Sequence, residues 1–336
     1  AAVCGARPSE VIFTSGGTEA DNLAVIGAAR AARAAGLGDG VVVSAIEHKA
    51  VAEAAARVAR VGGTVRTVRV GADGVIDLDH LGAVLDDTVV VVSVMCVNNE
   101  TGIVQPLAEV AERVRARAPG ATLHTDAVQA VAWLDVVTAA ACADLVSVSA
   151  HKFGGPKGVG ALVARVVIEP VVVGGGQEQG RRSGTVDVAG AVGLAAALTV
   201  TATRRSEDVA RVGGLRERLA AGLAVVPGVV PTGDRTRAVA GNHHVRVTGV
   251  AADTLLVALD RDGVCAAAGS SCASGASEPS HVLEAMGMSR DAARESVRFS
   301  LGFASTDADV DRALTVVPRA IERLRGAAAS VALAAR

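Results

Sequence analysis

Up to Thr203, continuous apolar runs alternate with stretches in which apolar residues recur every three or four positions. The runs Val41 to Ile46, Thr64 to Val70, Thr88 to Val97, Thr122 to Thr125, Asp144 to Ser149 and Gly160 to Val163 are Val-rich and mostly unbroken, as strands covered on both faces are. Helical spacing occupies Thr18 to Ala34, Lys49 to Arg60 and Leu107 to Ala118 between them. Repeated βα units predict a mostly parallel sheet with crossover helices, an α/β domain.

The pattern changes at Arg204, where a charged amphipathic helix runs to about Ala224 and leads into Pro227-Gly228 and Pro231-Thr232-Gly233 turns. Short strands at His244 to Val247, Val264 to Ala268 and Val297 to Leu301, with helices at Ala252 to Arg261, Pro279 to Met286 and Asp307 to Arg325, predict a smaller α+β domain. The division expected is a large domain over 1–204 and a small one over 205–336. Ala266 to Ser280 is so rich in Gly, Ser and Ala that a mobile loop is expected there.

Composition narrows the function. Of 336 residues half are hydrophobic, mostly Ala and Val, and only 1% are aromatic, so a base-stacking surface is not expected. With 33 basic and 35 acidic residues the net charge is -2, which argues against nucleic acid or an anionic membrane as the main partner. The mean hydropathy of +0.41 raises the question of a membrane span. The most apolar stretch, Val188 to Thr203, is short for a bilayer, contains Gly and adjoins an Arg-rich run, and reads as a buried helix. Five cysteines without a C-x-x-C pair predict neither disulfides nor a zinc site, with a reducing cytoplasm as the default compartment. No metal is expected. The chain opens at Ala1 in a segment like a helix end, so an upstream stretch is expected.

Only three lysines, Lys49, Lys152 and Lys157, occur among those 33 basic residues. Lys can lose a proton and form a Schiff base, as Arg cannot. Lys152 follows the run ending at Ser149, and Asp126 ends another run with Gln129 three residues on, where open α/β sheets place ligand groups. A buried ion pair is one explanation. Another is a pyridoxal phosphate site, with Lys holding the cofactor and Asp keeping the ring nitrogen protonated. Thr14 to Glu19 brings glycines to a helix start, a phosphate cradle, although Thr18 with Asp21 also reads as a capping box. Gly154 to Gly158 and Gly174 to Gly176 are weaker signals, more often tight turns.

The strings TSGGTEADN from Thr14, EHKAV from Glu47, VNNETG from Val97, HTDAVQA from His124, SAHK from Ser149 and RRSGT from Arg181 closely resemble cysteine desulfurases of the NifS/IscS type in order and spacing. GSSCASGASEPSHVLEAMG from Gly269 and RFSLG from Arg298 resemble that family's cysteine-bearing loop and substrate-carboxylate strand. The resemblance implies a pyridoxal-5'-phosphate-dependent transferase of fold type I (class V aminotransferase family), with a mostly parallel seven-stranded sheet, acting as a homodimer with shared active sites. It implies that Lys152 is the Schiff-base lysine, Asp126 the partner of the ring nitrogen, Gln129 that of the ring oxygen, and His48 a stacking and proton-moving group. It further implies that Asn99 contacts ring and substrate, that Arg298 clamps the substrate carboxylate, and that Gly17, Thr18, Ser149 and His151 hold the phosphate with Thr185 of the neighbouring subunit. On this resemblance Cys272 is expected to take sulfur from L-cysteine as a persulfide, leaving L-alanine, and to pass the sulfur to an acceptor or iron-sulfur scaffold protein.

The sequence departs from that family at Gln179, where Arg is common, and at Phe303, where a basic residue is. Two rivals stay open: another fold-type-I enzyme, such as a selenocysteine lyase or an aminotransferase, and a catalytically silent chain that binds partners. Cys96 and Cys142 are expected as core filling, Cys265 as a structural strand residue. His243 and His244 face opposite sides of a strand and cannot chelate one metal together. His80 and His124 read as surface or strand-end residues, and His281 as part of a helix.

Overall fold

The computed structural model describes residues 1–269 and 279–334 and divides into two compact units. The first comprises 1–70, 75–99 and 104–205; the second comprises 71–74, 100–103 and the chain from 206.

The first unit holds β1 (Val11–Thr14), α1 (Gly17–Ala34), β2 (Gly40–Ser44), α2 (Lys49–Arg60), β3 (Thr64–Val68), α3 (Leu78–Val84), β4 (Val89–Ser93), α4 (Leu107–Arg117), β5 (Thr122–Asp126), α5 (Val136–Ala139), β6 (Leu145–Ser149) and β7 (Gly160–Ala164). Its sheet has seven strands in the order β1-β7-β6-β5-β4-β2-β3. β7 pairs antiparallel with both neighbours and every other pairing is parallel, so six strands end at one edge. Four of the Val-rich runs are covered on both faces, with all five residues of β2, β4, β6 and β7 buried, but β3 is corrected: it ends the sheet, and Val68 alone of its five residues is buried. The core joins Val41, Val91, Leu145 and Leu162 of the sheet to Leu23 and Val25 of α1 and Val51 and Val58 of α2.

Helix α6 runs unbroken from Val188 to Ala224, and the division between the units falls within it. The expectation of a buried helix over Val188 to Thr203 is corrected. Leu194 and Leu198 are buried, whereas Val188, Val192 and Val200 are exposed, because four-residue spacing keeps each set on its own stripe. Among the described residues no helix is long and apolar enough to cross a membrane.

The second unit has a four-stranded antiparallel sheet, β10-β11-β9-β8, built from β8 (Val229–Pro231), β9 (Asn242–Val247), β10 (Ala267–Ala268) and β11 (Ser296–Ser300). Its helices beyond α6 are α7 (Ala252–Arg261), α8 (His281–Ala285), α9 (Arg290–Arg294) and α10 (Asp307–Ala334). Val245, Val247, Val297 and Phe299 form one face of the sheet and pack with Leu219, Leu255, Leu259, Val317 and Ile321.

Candidate active site

The candidate residues of the first unit gather along the edge at which six of its strands end. β1 ends at Thr14, and the chain turns through Gly16, whose φ of 148° lies in the region that favours glycine. A Cβ on Gly17 would come within 2.9 Å of the Val128 side chain and 3.5 Å of the Ser149 Cβ, so the start of α1 is pressed against the ends of β5 and β6. The Ser149 hydroxyl is hydrogen-bonded to His151 Nδ1 at 3.0 Å. Gly17, Thr18, Ser149 and His151 therefore flank one small-residue cradle, with the amide groups of the α1 first turn beside it. The capping-box alternative for Thr18 and Asp21 is corrected: Gly16 is the N-cap, no side chain caps the helix, and Asp21 is buried.

Asp126 is the last residue of β5 and is 5% exposed. One carboxylate oxygen accepts from the Val128 amide at 2.8 Å. Burial pushes its carboxyl up to about 6, while the Val128 amide and the positive charge of Lys152 pull the other way. Lys152 is exposed in the short turn Ala150–Phe153 that follows β6. His151, beside it, is held below the usual imidazole value by burial and by the charges of Lys152 and Lys157.

His48 is the N-cap of α2, and its Nδ1 accepts from the Ala50 amide at 3.2 Å, which leaves Nε2 to carry the proton of the neutral ring. Asn99 and Gln129 are half-buried in the loops after β4 and β5. Thr185 is exposed in the segment that leads into α6. Arg298 lies on β11 of the second unit, and Cys272 lies outside the described residues.

Sequence reasoning missed a polar layer in this sheet. His124 reads as a surface or strand-end residue; it is instead wholly buried, held by Ser93 Oγ on Nδ1 at 2.8 Å and Ser147 Oγ on Nε2 at 3.0 Å, and burial pushes it down to about 3. An Asp21 oxygen lies 3.7 Å from His124 Nε2. Glu47, fully buried, accepts from the Met95 amide at 2.8 Å. Burial first and the nearby Asp126 next hold both Asp21 and Glu47 well above the ordinary carboxyl value. No period in the sequence marks these three: His124 and Asp21 interrupt an apolar strand and helix, and Glu47 lies in the turn between β2 and α2.

Two other expectations are corrected. Cys265 is exposed and precedes β10 rather than lying in a strand, and Cys142 is half-buried where Cys96 is core. Among the described residues no cluster of His, Cys, Asp and Glu could hold a metal. At the departures, Glu178 and Gln179 both take left-handed backbone, with φ of 52° and 60°, and Glu178 accepts from the Phe13 amide at 3.0 Å. Phe303 is exposed, and nothing in the structure explains it.

The edge fits pyridoxal 5'-phosphate: a cradle that a Cβ at Gly17 would fill, a buried carboxyl able to face a ring nitrogen, and an exposed amine whose charge reaches that carboxyl. Comparison with known proteins points the same way. The family Aminotransferase class-V matches residues 1–313. An IscS-like cysteine desulfurase of Mycobacterium tuberculosis is 45% identical over 99% of this chain and 86% of its own length. A solved NifS-like protein superposes with a TM-score of 0.88 at 33% identity, covering 96% of this chain and 85% of that one. SspA solved in complex with cysteine gives 0.74 at 27% identity, covering 91% and 85%.

Proposed function

Because the chain belongs to the class-V aminotransferases, we propose that it is a pyridoxal-phosphate-dependent cysteine desulfurase that moves the sulfur of L-cysteine onto Cys272 and releases L-alanine. The observation that supports this reading is the placement of buried Asp126 at the end of β5 and of Lys152 in the turn after neighbouring β6, beside the Gly17–Ser149 cradle. Lys152 would hold the cofactor and Gly17, Thr18, Ser149 and His151 its phosphate, and the bound group would supply an electron sink. Ionised Asp126 would keep a proton on the ring nitrogen, and Gln129 would donate to the ring oxygen. His48, whose Nδ1 is engaged by the Ala50 amide, would stack on the ring and help move protons.

Arg298 grips the substrate carboxylate with its two-pronged guanidinium, helped by Asn99. The Lys152 amine takes the Cα proton. The Cys272 thiolate would then attack the substrate sulfur: the Cβ–S bond breaks with its electron pair going to carbon, an S–S bond forms, Cβ takes up a proton, and Lys152 returns a proton to Cα. The products are alanine and a Cys272 persulfide.

The finer parts of the proposal are a homodimer, a cytoplasmic setting and a sulfur acceptor or iron-sulfur scaffold protein as partner. The exposed stripe Val188, Val192 and Val200 is apolar surface that a second copy would cover, and exposed Thr185 precedes it. Incubation with L-cysteine and a reductant, with sulfide and alanine measured together, tests the activity. Equimolar sulfide and alanine are expected. Amino-group transfer to a keto acid without sulfide would move the chain to the aminotransferases, and release from selenocysteine alone would make it a selenocysteine lyase.

A further inference from the structure

The sheet of the second unit has two unlike faces. Val245 and Val247 of β9 and Val297 and Phe299 of β11 face the hydrophobic core. The alternate positions Asn242, His244 and Arg246 on β9, and Ser296, Arg298 and Ser300 on β11, form the other face, because strand side chains alternate. In the antiparallel register His244 stands directly opposite Arg298, so the two side chains rise from the same face as neighbours.

His244 is 3% exposed, yet neither of its ring nitrogens has a hydrogen-bond partner. The contrast with His124 is direct, since that equally buried ring has a serine hydroxyl on each nitrogen. Buried polar groups in folded proteins are nearly always paired, so an imidazole left wholly unpaired beside an arginine calls for a group that is not part of the chain. Burial first, then the Arg298 charge, pushes His244 down to about 3, so the ring is neutral and offers one N–H and one lone pair. A cation is disfavoured beside the guanidinium. A planar anion with two oxygens suits the pair, one oxygen for the guanidinium and one for the imidazole N–H.

We propose that His244 is a second contact for the substrate carboxylate, donating an N–H to one oxygen while Arg298 binds the other. The identity of that substrate rests on the desulfurase reading. The existence of a carboxylate-binding pair does not.

The test compares two ligands of the holoenzyme by the visible absorbance of its bound cofactor: L-alanine, and ethylamine, which is alanine without the carboxylate. His244→Phe keeps the ring and removes both nitrogens, His244→Met removes them with a flexible side chain, and His244→Gln restores an N–H. Both apolar variants are expected to bind L-alanine about 10-fold to 100-fold more weakly with ethylamine unchanged, and His244→Gln to recover most of the loss. Equal weakening of both ligands would reduce His244 to a structural role, and unchanged L-alanine binding would remove it from the site. If the wild-type enzyme answers neither L-cysteine nor L-alanine but does answer another amino acid, the desulfurase reading fails. The His244 comparison then proceeds with that amino acid and its decarboxylated amine.

Discussion

Arg182 grips Glu19 with two hydrogen bonds, Nε to Oε1 at 2.6 Å and the terminal guanidinium nitrogen to Oε2 at 3.0 Å. Glu19 lies in the first turn of α1 and also accepts from the Ser15 amide at 2.7 Å, so the pair ties the RRSGT segment to the turn that forms the cradle. Burial by itself raises Glu19, but the hydrogen bonds from Arg182 and Ser15 outweigh it and leave the carboxyl below its ordinary value. A lowered carboxyl stabilises the fold above the ordinary value and loses that contribution as pH falls through the lowered one. Glu19→Gln is therefore expected to melt a few degrees below the wild type at about pH 7, with the gap closing as pH falls below the ordinary carboxyl value of 4.5. A gap that stays constant over that range would show that the charge of Glu19 contributes nothing.

Lys152→Ala is expected to abolish borohydride-trapped cofactor, because neither Lys49 nor Lys157 follows a strand end beside Asp126. Mass spectrometry of the trapped peptide reads the outcome. Cofactor retained covalently on the variant would move the attachment site elsewhere.

Asp126→Asn is expected to lower turnover by about 100-fold or more while some cofactor still binds, since a neutral amide cannot hold the ring nitrogen protonated. Asp126 ionises near 6, so wild-type affinity for the cofactor gains a component as pH rises through that value. The phosphate of the cofactor titrates in the same range, and the variant serves as its control. Identical pH profiles of cofactor affinity in the two proteins would count against the pairing.

His124→Asn is expected to be about 1–3 kcal/mol less stable at neutral pH, because Ser93 or Ser147 loses its partner inside the sheet. The wild-type ring must stay neutral to remain buried. Its contribution is complete above the ordinary imidazole value of 6.5 and is lost as pH falls from there toward about 3, by up to about 1.4 kcal/mol per pH unit. The stability difference measured by denaturant unfolding should thus shrink between about pH 6.5 and about pH 4. A difference that widens on acidification would place the charge elsewhere.

Cys272→Ala is expected to bind cofactor and L-cysteine as the wild type does and to release no sulfide, because the thiol acts after the substrate is seated. Persulfide labelling with mass spectrometry identifies the acceptor. Cys265 is the control, since it is the exposed thiol among the described residues. Persulfide lost from Cys265→Ala and kept by Cys272→Ala would reverse the assignment.

Position along the chain was legible in the sequence alone: βα alternation put Asp126 at the end of β5 and Lys152 just after β6, and α2 and α7 begin and end at the residues their spacing predicts. These features are local, because apolar period and turn residues act over a few neighbours. What only the tertiary structure decided depends on which elements meet. Strand β7 runs against its neighbours, so β1 and β6 on either side of it end at the same edge, where Gly17 comes onto Ser149. Burial of His124, Asp21 and Glu47 follows from covering both sheet faces, and the exposure of Val188, Val192 and Val200 follows from leaving one side of α6 bare. The neighbourhood of His244 and Arg298 comes from a strand register joining residues more than fifty positions apart, a separation that no local pattern encodes.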